Sequence, residues 1–202
     1  MNLSNANAST QKRRYRMSAR ADAAAATRER LLDAAWRHFA TRPYEDVRLQ
    51  DVAEDAGVTA QTLHTHFGSK DQLLIAAYWW WGQQQIEQRD TAPVGQVRTA
   101  IELLFDHYEA HGVAVLRMLS QEERHPAIHK LTDAGRAYHQ AWVERTFRPL
   151  LDDLRGAVRE RRIAAMVVAT DLLVWKLLCH DMGLDRSQAE EIMVEMVESS
   201  SQ

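Results

Sequence analysis

A single cysteine, Cys179, stands in 202 residues, so no disulfide can form within the chain and packing alone must hold it. One unpaired thiol fits a reducing, cytoplasmic setting. Nowhere do apolar and polar residues alternate long enough for a strand pattern, so no sheet is expected. No internal repeat is present. The most apolar stretch, Ile163 to Cys179, is interrupted by Asp171 and Lys176 and reads as a buried helix, not a membrane span. Met1 to Thr10 is polar, and no signal peptide is expected. There is no Gly-rich phosphate loop, no nucleophile–base arrangement and no complete metal motif, so neither an enzyme nor a cofactor is expected.

What is present is an ordinary globular composition, 46% hydrophobic and 26% charged, with charge unevenly placed. Residues 1–70 hold 11 Lys and Arg against 8 Asp and Glu, while the remainder holds 14 against 20. A basic end on an acidic body suggests that this end meets a polyanion. Residues 1–26 read as a disordered basic arm: polar at first, then Lys12, Arg13, Arg14, Arg16 and Arg20, with too little apolar surface to offset ordering entropy. That arm could reach a DNA groove or be a solvated tail.

The rest reads as helices. Leu31, Leu32, Ala35, Trp36 and Phe39 fall at helical spacing over Thr27–Ala40, and Pro43 follows. Short helices are expected over Leu49–Ala56 and Thr59–His66, and another from Ser69. After Pro93, the residues Val97, Ile101, Leu104, Phe105 and Tyr108 give an apolar face that Gly112 is expected to end, with Val113–Leu119 as a short separate piece. A long helix is expected from Pro126 to about Leu154, another from Ile163 to His180, and a last one opened by a capping box at Ser187 and Glu190.

The informative segment is Leu49 to His66. Ala53 is small enough to let a second helix approach. Gly57 tolerates the left-handed conformation that ends the first helix, and Thr59 can cap the second. Val52, Ala56, Val58 and Leu63 form a mini-core. The outer face of the second helix carries Gln61, Thr62, His64, Thr65 and His66, short polar groups suited to base edges and phosphates. Pattern alone leaves open a helical corner with no DNA role.

The run Thr27–Ala40, then Tyr44, then Asp51-Val-Ala-Glu-Asp-Ala-Gly-Val58, then Gln61-Thr-Leu-His-Thr-His-Phe-Gly-Ser-Lys-Asp-Gln-Leu-Leu74 resembles the N-terminal domain of TetR-family regulators. The resemblance implies an all-α fold: a three-helix helix-turn-helix DNA-binding domain over 27–75, then a helical ligand-binding and dimerisation domain over 76–202. It implies a homodimer on double-stranded DNA, with repression relieved by a small-molecule inducer. Two positions depart from the family pattern: His64 stands where a phosphate-touching Tyr is usual, and Arg48 where Ser or Thr is usual. Arg48, His64 and Lys70 are expected on phosphates, Gln61, Thr62 and Thr65 on base edges, and Thr59 and His66 are further candidate DNA contacts.

In the second half, Trp79, Trp80 and Trp81 span about 200° of one helix and cannot all face one core. Trp79, Phe105, Tyr108, Met118, His139, Trp142 and Trp175 are candidate ligand contacts, a mixture that suits an apolar or aromatic molecule. The Ile163–His180 helix, apolar nearly all round, needs cover on two sides. One is expected from a partner subunit through Leu172, Trp175, Leu178, Ile192 and Met196. His107 with His111, and His125 with His129, are four apart on helices. Each pair could hold two positions of a metal site, which leaves a metal-responsive regulator as an alternative. A third reading is a helical scaffold with a degenerate reader.

Overall fold

The computed structural model describes residues 3–199, and side chains at 21–83 and 89–199. No strand occurs among the described residues. The chain divides into two compact units, Met1–Ala77 and Tyr78–Gln202.

In the first unit α1 runs Leu3–Thr41, α2 Leu49–Asp55 and α3 Ala60–Phe67, and α4 (Lys70–Asp90) begins there. The backbone of α1 is helical long before Thr27, where disorder was expected: Ala21 and Ala23–Ala26 extend the helix because alanine costs least to fix in helical geometry. The side chains of Lys12 to Arg16 lie outside the described residues. Leu31, Leu32, Ala35, Val52, Ala53, Leu63, Leu73 and Leu74 are sealed in the core. A buried histidine ties α1 to α2. His38 Nδ1 accepts from Arg42, so its Nε2–H is the donor to Asp55 (2.6 Å). That bond holds the Asp55 carboxyl below its usual range.

In the second unit α4 continues and is followed by α5 (Val97–Leu119), α6 (Pro126–Thr146), α7 (Gly156–Ala169), α8 (Leu172–Lys176) and α9 (Arg186–Ser199). A 3₁₀ turn, Arg148–Leu150, follows α6, and a π turn, Leu177–Asp181, continues α8. The core gathers Ile101, Leu104, Phe105, Trp142, Phe147, Met166, Met193 and Val197.

Four boundaries differ from the sequence reading. The long helix from Pro126 ends at Thr146 instead of reaching Leu154. The apolar run is two helices, since Asp171 caps α8 by accepting the Leu173 N–H (2.7 Å) and Thr170 Oγ1 bonds back to Met166 O. Gly156–Asp181 is long and apolar enough to cross a membrane by length and composition. However, it is broken at this cap, and Ile163, Met166, Leu172, Trp175 and Leu178 lie in the unit's own core. The capping box of α9 is Asp185 with Gln188, each accepting the other's backbone N–H, while Glu190 pairs with Arg186.

The fourth is Gly112, which lies inside α5 instead of ending it. A Cβ there would sit 2.7 Å from Trp175 Cζ3 and 3.0 Å from Leu172 Cδ1, so glycine serves the close approach of α8. Gly112→Ala is therefore expected to lower stability by about 1–3 kcal/mol through overpacking, despite a better helix propensity. Thermal unfolding checks this; a raised Tm would mean that the Trp175 ring moves aside freely.

Candidate nucleic-acid interface and regulatory cavity

The turn between α2 and α3 closes as the residues dictate. Gly57 has φ +69°, its N–H reaches Glu54 O (2.9 Å), and Val58 N–H reaches Ala53 O (2.9 Å). These two bonds form a Schellman stop, which needs the left-handed residue that glycine supplies. Thr59 then accepts the Thr62 N–H (3.2 Å) and starts α3. Leu63 and Phe67 turn inward, fixing the opposite face of α3 to the outside.

On that outer face Arg48, Thr59, Gln61, His64 and Thr65 are exposed, and Thr62, His66 and Lys70 are half-buried. Helix α3 carries no acidic residue. Thr65 donates its hydroxyl proton to Gln61 O (2.8 Å), which leaves its methyl and lone pairs outward. Thr62 Oγ1 lies 2.9 Å from Thr59 Oγ1, so it belongs to the cap as much as to the surface. Lys70 Nζ sits 4.3 Å over the Tyr44 ring and donates to Glu45 O (3.3 Å). Tyr44 itself donates to Asp71. Burial pushes the Lys70 amine down from its ordinary value. His64 Nδ1 faces Gly68 O at 3.2 Å. A carbonyl can only accept, so Nδ1 carries the proton, and in neutral His64 the Nε2 presents a lone pair.

The second unit holds a cavity of about 350 Å³, within the range that small-molecule sites occupy. Trp79, Trp81, Tyr108, Val115, Met118 and Leu119 make much of its wall. Gly112 and Gly135 also line it; a Cβ at Gly135 would come within 3.4 Å of Tyr78 Oη. Polar groups converge at one part of the wall. Arg89 is 4% exposed and donates to His139 Nδ1, so the His139 proton is on Nε2, facing Thr170 Oγ1 at 3.1 Å. Tyr108 donates to Thr170 O (2.7 Å). Burial, with the Arg89 charge beside them, pushes His107 and His139 down to about 3, so both imidazoles are neutral near pH 7.

The model of bacterial regulatory proteins of the tetR family matches residues 31–77, spanning the end of α1, the helix-turn-helix and the start of α4. The match lies within the N-terminal unit, and the chain resembles the tetR family there. Solved structures share the fold over nearly the whole chain. A protein from Rhodococcus sp. described as a TetR-family transcriptional regulator is 17% identical, with 88% of this chain and 100% of that one covered and a TM-score of 0.65. A TetR transcription regulator from Haloarcula marismortui is 16% identical, with 87% and 96% covered and a TM-score of 0.63. A protein from Saccharomonospora viridis described as a transcriptional regulator, solved in complex with choline, is 19% identical, with 85% and 95% covered and a TM-score of 0.61. No curated protein matches the chain. The fold is thus one that solved TetR-type regulators share.

Within this fold, the sequence-predicted residues separate by position. Trp79, Tyr108, Met118 and His139 line the cavity. Phe105, Trp142 and Trp175 do not: they pack in the core, sealed to 0%, 0% and 3% exposure. Trp142 lies just behind the wall, its ring 4.3 Å from the Arg89 guanidinium. Arg89, His107, Tyr138 and Trp81 are wall residues that the sequence reading missed. Of the expected interface residues, Leu172, Trp175 and Leu178 are buried in their own unit, and Ile192 and Met196 are half-buried. The same segment exposes Val168, Leu173 and Leu177 instead, each at 50% or more. No group of three or more His, Cys, Asp or Glu poised to hold a metal occurs among the described residues. His111 stacks edge-on against Trp81, and His129 pairs with Asp133.

Proposed function

We propose that the chain is a ligand-responsive transcriptional repressor that acts in the cytoplasm as a homodimer on a roughly palindromic operator and is released by a small apolar or aromatic molecule. The observation that carries the DNA-binding part is the acid-free outer face of α3, fixed outward by Leu63 and Phe67 and flanked by Arg48 and Lys70. Gln61 and Thr65 are assigned to base edges, Gln61 through its amide and Thr65 through its methyl and lone pairs. Arg48, Thr59, His64, His66 and Lys70 are assigned to phosphates, and Thr62 to the cap and the adjacent backbone. Two readers must enter successive major grooves, which calls for a dimer. The exposed Val168, Leu173 and Leu177, with Met196, give α7, α8 and α9 an apolar surface for a partner subunit to cover.

The cavity supports the inducer reading, since it is concave, mostly apolar and furnished with a few converging polar groups. The Saccharomonospora viridis neighbour carries choline. Here a guanidinium already lies over the Trp142 and Tyr138 rings, so a quaternary ammonium is not the expected inducer.

The test is fluorescence anisotropy of the purified protein on duplex DNA from upstream of its own gene and on random DNA. Gln61→Ala should lose the preference for the specific duplex, by roughly 10- to 100-fold, while keeping its affinity for random DNA. An equal loss on both duplexes would remove Gln61 from the base-reading set.

A further inference from the structure

The cavity wall holds charged groups of very different standing. Arg136 is half-exposed and paired with Glu122 and Asp133. Asp171, the acidic group in the wall, is committed to capping α8. Arg89 is another matter. It is almost fully buried, and among the described residues no carboxylate comes within ion-pair distance of it. Its neighbour Asp90 is taken up by Tyr138 and Arg145. One terminal nitrogen of Arg89 donates to His139, and the cation lies 4.3 Å from the Trp142 ring and 5.3 Å from the Tyr138 ring. Its Nε–H, sealed from solvent, has no hydrogen-bond partner among the described residues.

A buried guanidinium without a counter-ion is costly, and such groups are normally paired. The aromatic faces and a neutral imidazole compensate only in part. The two histidines beside it cannot supply the missing charge: neither can become negative, and Arg89 itself helps keep both neutral. The missing partner is an anion. The terminal N–H groups of the guanidinium form a fork that matches the two oxygens of a carboxylate. The rest of the wall, with Trp79, Trp81, Val115, Met118 and Leu119, suits an apolar or aromatic body.

We infer that the ligand of this cavity is an apolar or aromatic carboxylic acid, bound as its anion, with the carboxylate on Arg89 and the body against the tryptophan-rich wall. This rests on the inducer reading above and makes it specific. It also gives the cavity a selectivity rule: acid over the neutral alcohol of the same body, and alcohol over the corresponding ammonium, because a second buried cation beside Arg89 is repelled.

The test uses three probes with one body: 2-naphthoate, 2-naphthylmethanol and 2-naphthylmethyl-trimethylammonium. Binding to the full chain is followed by calorimetry and by quenching of tryptophan fluorescence, and release from operator DNA by anisotropy. The acid should bind at least about 30-fold more tightly than the alcohol, and the ammonium least. In Arg89→Met the acid should fall to the alcohol's affinity, while the Tm without probe holds or rises, since an apolar side chain replaces an uncompensated cation. Arg89→Lys, with the charge but not the fork, should fall between. Equal affinity for acid and alcohol in the wild type overturns the inference whether or not Arg89→Met folds. So does an acid preference that survives in Arg89→Met, or a steep loss of Tm in that variant, which would make Arg89 a structural group. Acid preference without release of DNA keeps the inference and overturns the inducer reading. Release of DNA with no acid preference does the reverse.

Discussion

Replacing Trp142 by alanine is expected to destabilise the second unit by about 3–5 kcal/mol, the largest effect of any single truncation near the cavity. Three contributions add. The side chain is fully buried, so the whole apolar area is lost and a cavity is left behind. Its ring stacks on His139 at 6.0 Å and meets Phe147 edge-on at 5.6 Å, contacts that no smaller residue restores. It also supports Arg89 twice: the indole N–H donates to Arg89 O (3.2 Å), and the ring face receives the guanidinium. Trp142→Phe keeps the face and loses the N–H, and should cost well under half as much. Urea unfolding of the two variants against the wild type measures both. Since a domain is usually stable by only about 5–15 kcal/mol, the alanine variant is expected to be marginal at 37 °C. A loss below about 1 kcal/mol would mean that neighbouring groups collapse into the space and that the cation does not depend on the ring.

The second large effect is on DNA. With Arg48 and Lys70 as the phosphate-binding cations of each protomer, a dimer neutralises about four phosphates. The logarithm of affinity should then fall with the logarithm of salt at a slope near −4, roughly a hundredfold between 50 and 200 mM. Lys70 is held in place by the Tyr44 ring and the Glu45 carbonyl, so little side-chain freedom is lost on binding. Lys70→Ala should weaken operator and random DNA alike and flatten the slope by about two units, one per protomer. A slope unchanged in the variant would take Lys70 off the backbone.

The helix-turn-helix was readable in the sequence because what builds it is local. Gly57, Thr59 and the spacing of Val52, Ala56 and Leu63 act within twenty residues, and each has one conformational use at its position. The second unit was readable only as a set of helices. Gly112 reads locally as a helix stop, and the reason for it, the Trp175 ring, is 63 positions away. The apolar run after Ile163 hides its break, because Asp171 looks like an interruption in a buried face until its side chain is seen capping α8. The expected interface residues Leu172, Trp175 and Leu178 are buried in their own unit: periodicity gives a stripe, but on a helix apolar all round it does not say which stripe meets its own core. Arg89 was least visible of all. Beside Glu87, Gln88 and Asp90 it reads as a solvated helix end, and only the tertiary fold buries it against Trp142, Tyr138 and His139.

The central claim is that α3 reads a specific DNA sequence as part of a two-fold pair. Selection of bound duplexes from a random pool, followed by titration of the selected duplex and an unselected one at two salt concentrations, tests it most directly. An inverted repeat with half-sites about one helical turn, 34–36 Å, apart should be enriched. Binding should be tight and fall steeply with salt, and the specific-to-random preference should collapse in Gln61→Ala. No enrichment, or binding that ignores both sequence and salt, would contradict it.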